Sequence, residues 1–356
     1  MSAGNTSQET RPIRDGEEID ALSLSAYLTE SGFAPAIEIE QFPAGSSNLT
    51  YLVKVRGAEY VLRRPPFGNT VKTAHDMRRE FDVLSKLSKV YEPAPAPILF
   101  CADDSVIGSE FYLMERRRGL IVRGKAPDDL ERSRELQRSV CESFVKNLAD
   151  LHSLDYQAAG LGDLGKPDGY CRRQVEGWTR RYHAAKTDDW PELENSISWL
   201  NKNIPAESGA SLVHNDYKFD NVMLDPDELS RIVAVLDWEM VTIGDPLMDL
   251  GTSLGYWMSR DAGDGLLSMP FNPRVLMENV SRSQLVEMYE EAMGAGAEGL
   301  LFYYVFGTFK IAVIAQQIYA RYVKGFTSDP RFARFHIFVS ALGSIANNAI
   351  ERDSIE

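Results

Sequence analysis

Residues 212–225 read LVHNDYKFDNVMLD, and residues 231–241 read RIVAVLDWEMV. The first stretch has the form H-x-D-x-x-x-x-N, with His214, Asp216 and Asn221 at its fixed positions. Phosphoryl transfer needs a group that accepts or orients a hydroxyl proton, together with ligands for Mg²⁺. An aspartate followed five residues later by an asparagine supplies both from one loop: Asp216 as base and Asn221 as metal ligand. Sixteen residues after Asn221, an apolar run ends on Asp237, where a second Mg²⁺ ligand would stand. Taken alone, Asp237 reads equally well as a turn or a helix cap. The order and spacing of the two segments join it to the first. His214 invites an acid–base or metal reading, but a packing and hydrogen-bonding role suits it better.

The surrounding chain changes character on either side. Residues 36–64 hold AIEIEQF and YLVKVRG, which alternate apolar with polar, and then EYVLRR between Gly57 and Pro65-Pro66. These read as an antiparallel meander. Over 72–90, Met77, Phe81, Leu84 and Leu87 fall at helical spacing. The Pro-rich YEPAPAPILF cannot continue that helix, and EFYLMER, 110–116, reads as a further buried strand. Beyond about residue 128 the pattern is helical. One long amphipathic run ends near Asp155, and more helices are expected at 171–186, 191–203, 282–294, 300–323 and 330–350. The strand-rich island 211–243 lies within them. This predicts an α+β, two-lobed architecture. A flexible tail would cover 1–17, a small antiparallel-sheet lobe 18–118 and a larger, mostly helical lobe 119–356, with a ligand expected in the cleft between lobes.

With these elements in place, LVHNDYKFDNVMLD and VLDWEMVTIGDPLMDLG resemble the catalytic loop and metal-binding segment of the aminoglycoside phosphotransferase and choline kinase-like family, within the protein-kinase-like superfold. The resemblance covers about residues 30–350. It implies an ATP- and Mg²⁺-dependent kinase for a small-molecule hydroxyl, with Asp216 as base and Asn221 and Asp237 on the metal. The family's later D-x-x-x-D-L element is matched by Asp245, Asp249 and Leu250, which are expected to order the loop. Ala44-Gly45-Ser46-Ser47-Asn48 resembles the family's G-x-S-N turn, whose backbone N–H groups and hydroxyls would cradle phosphates. In kinases a strand lysine contacts the α- and β-phosphates and pairs with a helix glutamate. Here the strand carries Arg63 and the helix Glu80, a departure from lysine, since arginine binds phosphate with a different geometry. Adenine would lie against the linker after EFYLM, bonded to backbone near Glu115 and Arg116 and lined by Met114. His152, in LADLHSL, is expected to be a packed core histidine.

The YVLRRPP and VLDWE segments look closer to the branch containing kinase-like domains fused to acyl-CoA dehydrogenases. The resemblance implies a hydroxyacyl-CoA-like substrate, with CoA phosphates expected on Arg116–Arg118, beside the aminoglycoside-like alternative. A solvated face is the plainer reading of that basic cluster. Two other classes compete. One is a nucleotide-binding pseudokinase, supported only by Arg63. The other is a metal hydrolase using His214 and Asp216, which lacks a second ligand cluster.

Composition narrows the field. The chain has 356 residues with a formal net charge of −14, whereas nucleic-acid binding calls for a basic face. Three cysteines with no CxxC pair suit a reducing, cytoplasmic setting. Residues 300–320 are long enough to span a bilayer, but Lys310 at the centre opposes insertion by about 2.5–3.5 kcal/mol, so a buried core helix and no membrane role are expected. Nothing in the sequence fixes an oligomeric state.

Overall fold

The structure, a computed structural model, describes residues 9–43, 48–67, 76–258, 262–267, 269, 271–327 and 329–356. The chain divides into two compact units, the first reaching Arg118 and the second running from Gly119 to Glu356.

In the first unit, α1 is Ala21–Glu30, β1 Ile37–Gln41, β2 Leu49–Val55, β3 Ala58–Arg64, α2 Met77–Leu87, β4 Pro97–Cys101 and β5 Phe111–Glu115. The strands form one antiparallel sheet in the order β1-β2-β3-β5-β4. β2 and β3 join through Arg56 and Gly57, both at positive φ (47° and 82°). That conformation matches the twist of a two-residue hairpin and favours glycine. Alternation sends Tyr51, Val53, Leu62, Phe111 and Leu113 into a core closed by Leu24 and Leu28 of α1. α2 begins at Asp76, whose carboxylate accepts from Arg79 N–H at 2.8 Å. Its Phe81 packs against Phe100 and Tyr112.

Residues 9–17 differ from the expected flexible tail. Arg11 and Gln41 exchange two backbone hydrogen bonds of 2.9 Å, and the Tyr51 hydroxyl donates to Glu17 O at 2.7 Å. β1 is an edge strand with backbone groups that need partners, and this segment supplies them.

The second unit comprises α3 Asp128–Arg132, α4 Arg134–His152, α5 Tyr170–Ala185, α6 Pro191–Lys202, β6 Ser211–Val213, β7 Val222–Leu224, β8 Ile232–Val235, β9 Thr242–Gly244, α7 Pro246–Tyr256, α8 Asp264–Leu267, α9 Arg274–Asn279, α10 Arg282–Met293, α11 Leu300–Val323 and α12 Phe335–Arg352. β6 pairs with β9 and β7 with β8, both antiparallel. α11 is long and apolar enough to cross a membrane, and its window is 78% buried inside the protein. It packs against α7, α12, α5 and α6. The approach to α7 is close: a Cβ on Gly307 would fall 2.1 Å from Gly251 O, and one on Gly251 would fall 2.3 Å from Tyr303 O. Only glycine lets the two backbones meet there.

Candidate active site

The loop 214–221 leaves β6 and enters β7, anchored by its aromatic residues. Tyr217 and Phe219 are fully buried. The Tyr217 hydroxyl donates to Phe144 O at 2.8 Å, and Phe219 stacks on Phe144 at 4.3 Å between centroids. Burial of these two holds Asp216 and Lys218 in place beside them. Asn215 adopts a left-handed backbone (φ 68°), a conformation asparagine tolerates better than most residues.

Asp249 of α7 grips the start of the loop. Its carboxylate accepts from the N–H groups of His214 and Asn215 at 2.6 and 2.7 Å and faces His152 Nε2 at 3.2 Å. His152 Nδ1 in turn meets the Tyr289 hydroxyl at 2.8 Å. Burial works to raise the Asp249 pKa, but His152 and the backbone donors outweigh it and hold the carboxyl below its ordinary value. Asp245 caps α7 through Leu247 N–H at 2.9 Å and binds Ser208 Oγ at 2.6 Å. Both aspartates order structure around the loop.

Asp216 is held from several sides. Asn221 Nδ2 donates to its Oδ2 and to its backbone oxygen, each at 2.9 Å, the Tyr256 hydroxyl donates to Oδ1 at 2.9 Å, and Lys218 Nζ pairs with Oδ2. Its side chain is 17% exposed, so the carboxylate is fixed yet reachable. His214 is wholly buried. Its Nδ1 lies 3.2 Å from Asp216 N–H and its Nε2 2.9 Å from Leu236 O. This pattern suits a neutral ring protonated at Nε2, and burial drives its pKa down.

The β7–β8 hairpin sets Asn221 beside Asp237. Val222 pairs with Val235, and Leu236 N–H donates to Asn221 O at 2.8 Å. Asp237 follows in a left-handed conformation (φ 68°, ψ 65°). The buried Tyr256 phenol records the convergence: burial and then the charges of Asp216, Asp220 and Asp237 push its pKa far up. Asn221 spends its Nδ2 on Asp216, and its Oδ1 is the atom that could serve a hard cation. Mg²⁺ prefers oxygen ligands and keeps waters, so one amide and one carboxylate oxygen beside bound phosphates suit it. Among the described residues no three His, Cys, Asp or Glu side chains gather as a metal site.

In the first unit, Arg63 of β3 and Glu80 of α2 form a buried pair with 3.1 Å between Nη1 and Oε1. Asn48 is buried just before β2, while Gly45, Ser46 and Ser47 lie outside the described residues. Met114 is buried in β5. The Glu115 N–H donates to Ala96 O at 2.9 Å and so is already engaged. The basic cluster carries its own counter-charges, as the plainer reading of a solvated face allows. Arg116 pairs with Glu9 and Glu59, Arg117 with Glu92 and Glu115, and Arg118 with Glu59.

Three residues near Asp216 escaped the sequence reading: Lys218, Tyr256 and Lys310. Lys310 of α11 is 2% exposed, and its ammonium donates to Asn215 O. A lysine at the centre of an apolar helix was the available signal.

This arrangement, in a fold pairing a five-stranded sheet unit with a helical unit, defines a kinase-like phosphotransferase class. The model of the phosphotransferase enzyme family called APH matches residues 38–270, and the chain belongs to that family. It is 38% identical over 344 residues to human acyl-CoA dehydrogenase family member 11, covering 92% of this chain and 43% of that protein. The chain therefore spans less than half of that relative. A Ralstonia eutropha JMP134 protein provisionally assigned as an aminoglycoside phosphotransferase superposes with a TM-score of 0.77 at 30% identity, over 94% of this chain and 99% of that one. The aminoglycoside phosphotransferase APH(4)-Ia, solved with ADP and hygromycin B, shares the fold at TM-score 0.58 and 16% identity, over 93% and 98% of the two chains.

Proposed function

We propose that this chain is an ATP- and Mg²⁺-dependent kinase that phosphorylates a hydroxyl on a small molecule, with Asp216 as the base. The observation that carries the reading is the Asp216 carboxylate, fixed by Asn221, Tyr256 and Lys218 while its side chain stays 17% exposed. A hydroxyl approaching it would be oriented by the carboxylate and pass it the proton as the oxygen–phosphorus bond forms. Lys218 places a cation beside the same carboxylate, suited to negative charge on a transferring phosphoryl group. Arg63, braced by Glu80, offers a planar cation to phosphate oxygens. Asn221 Oδ1 and Asp237 would hold Mg²⁺, which neutralises phosphate charge.

The acceptor class is read from the relatives. Their name as acyl-CoA dehydrogenase family members supports a hydroxyacyl-CoA-like acceptor. Phosphate on Arg116–Arg118 would have to displace the glutamates that pair with them. An aminoglycoside-like acceptor is supported by the structural neighbours. The buried, unbridged cysteines support a cytoplasmic setting. A nucleotide-binding module without turnover is the second reading, favoured by arginine at position 63.

The test is an ATP-dependent phosphorylation screen over hydroxyacyl-CoAs, aminoglycosides and other hydroxylated metabolites. With the responding acceptor, Asp216→Asn should cut turnover about 10²- to 10⁴-fold with ATP binding kept. Near-normal turnover in that variant would remove Asp216 as the base. ATP binding without phosphorylation of any acceptor would favour the second reading.

A further inference from the structure

The peptide group joining Asn215 to Asp216 is gripped at both ends by buried side chains. Its N–H points at His214 Nδ1, 3.2 Å away, and its carbonyl accepts from the Lys310 ammonium. Asn215 is held elsewhere too: its N–H by Asp249, its Oδ1 by the Tyr170 hydroxyl at 3.1 Å, and its Nδ2 by Met240 O at 3.1 Å. Every one of these is a neutral donor or acceptor or a fixed anion except Lys310.

That lysine stands where the sequence would otherwise place an apolar residue. α11 is apolar over its length, Lys310 is 2% exposed, and its Nζ lies 5.6 Å from the centroid of the Trp178 ring. A charge in such surroundings is costly unless hydrogen-bonded, and Lys310 gives its charge to a backbone carbonyl, that of the residue before Asp216.

We propose that Lys310 is a positioning residue for Asp216: its ammonium clamps the Asn215 carbonyl from below and sets the angle at which the carboxylate meets the acceptor hydroxyl. This rests on the reading of Asp216 as the base. Burial pulls the Lys310 pKa down to about 8. The charged groups around it are Asp216 and Lys218 on the loop, Asp249 on α7 and Arg181 on α5. The two carboxylates support the ammonium and the two cations oppose it. As pH rises through about 8, the clamp loses its charge, so turnover should fall on that alkaline limb.

The experiment follows ADP release from Mg·ATP, with water or the acceptor found in the screen, from neutral to alkaline pH. It compares the unaltered protein, Lys310→Met, Lys310→Gln and Asp216→Asn, with thermal melts of each. Lys310→Met strands the Asn215 carbonyl and should melt lower than the unaltered protein, and in the folded fraction its turnover should fall about 10- to 100-fold, as a misplaced reacting group does. Its KM for ATP should be little changed and its alkaline limb absent. Lys310→Gln keeps a donor without a charge and should recover part of the turnover, also without the limb. If the Met variant fails to fold, the Gln variant decides on the limb. A Lys310→Met protein with unaltered turnover and the same alkaline limb would overturn the proposal. If Asp216→Asn is inactive in that case, the base assignment stands and only the clamp falls; an active Asp216→Asn removes the base itself.

Discussion

Asp249 has no exposure, accepts two backbone N–H groups and faces a histidine, so its loss leaves several buried partners unsatisfied. Breaking such a charged cluster costs about 3–5 kcal/mol, and Asp249→Ala should lower stability by that order in a urea melt. Acid acts on the same network in two stages. Burial depresses His214, so the unfolded chain takes up its proton first, and stability should begin to fall below the ordinary histidine value of 6.5. Asp249 is held below the ordinary carboxylate value, so its contribution is present above 3.8 and is lost as pH drops through its lower folded value. Melting temperature against pH should show both stages, with the first flattened in His214→Asn. At this scale the sequence singles out Asp216, Asn221 and Asp237 as candidates because one loop and one hairpin carry them at fixed spacing. Tyr256 and Lys310 reach Asp216 and Asn215 from 40 and 95 positions away. Spacing along the chain holds no record of such contacts.

Elements with a strong period were legible, and those shaped by packing were not. The strands at 37–41, 49–55, 58–64 and 111–115 and the helices at 134–152, 170–185, 191–202, 282–293, 300–323 and 335–352 follow patterns that can be counted. α1 buries only Leu24 and Leu28 and leaves Leu22 exposed, so its apolar residues mark no clean stripe, and β4 hides in a proline-rich stretch. α7 carries Gly251 and Gly255, which weaken helix propensity; the Asp245 cap, Pro246 in the first turn and the surface of α11 make it a helix. The contact between α7 and α11 also fixes Asp249 relative to Lys310. Gly307→Ala would drive a methyl group into the Gly251 carbonyl. It should cost about 1–3 kcal/mol by overpacking and reduce turnover as well. Gly177→Ala, in α5, meets nothing nearer than 3.9 Å. It should be neutral or stabilise by up to about 1 kcal/mol. Paired chemical denaturation curves check both.

Across the whole molecule the charge of −14 coexists with a basic cluster that is consumed internally, a distinction composition could not draw because it counts charges without pairing them. The cysteines are distributed usefully: Cys101 lies in the first unit, Cys141 and Cys171 in the second, and all are buried. Burial raises the Cys141 and Cys171 thiols well above their usual range. Since the thiolate is the reactive form, the native protein should leave all three unlabelled by a disulfide reagent, with labelling appearing only in denaturant. Mapping the labelled cysteine by mass spectrometry then reports which unit opens first. α11 is long and apolar enough to cross a bilayer, yet a charge at its midpoint opposes insertion by about 2.5–3.5 kcal/mol, so Lys310 would bias this helix toward the protein interior over lipid.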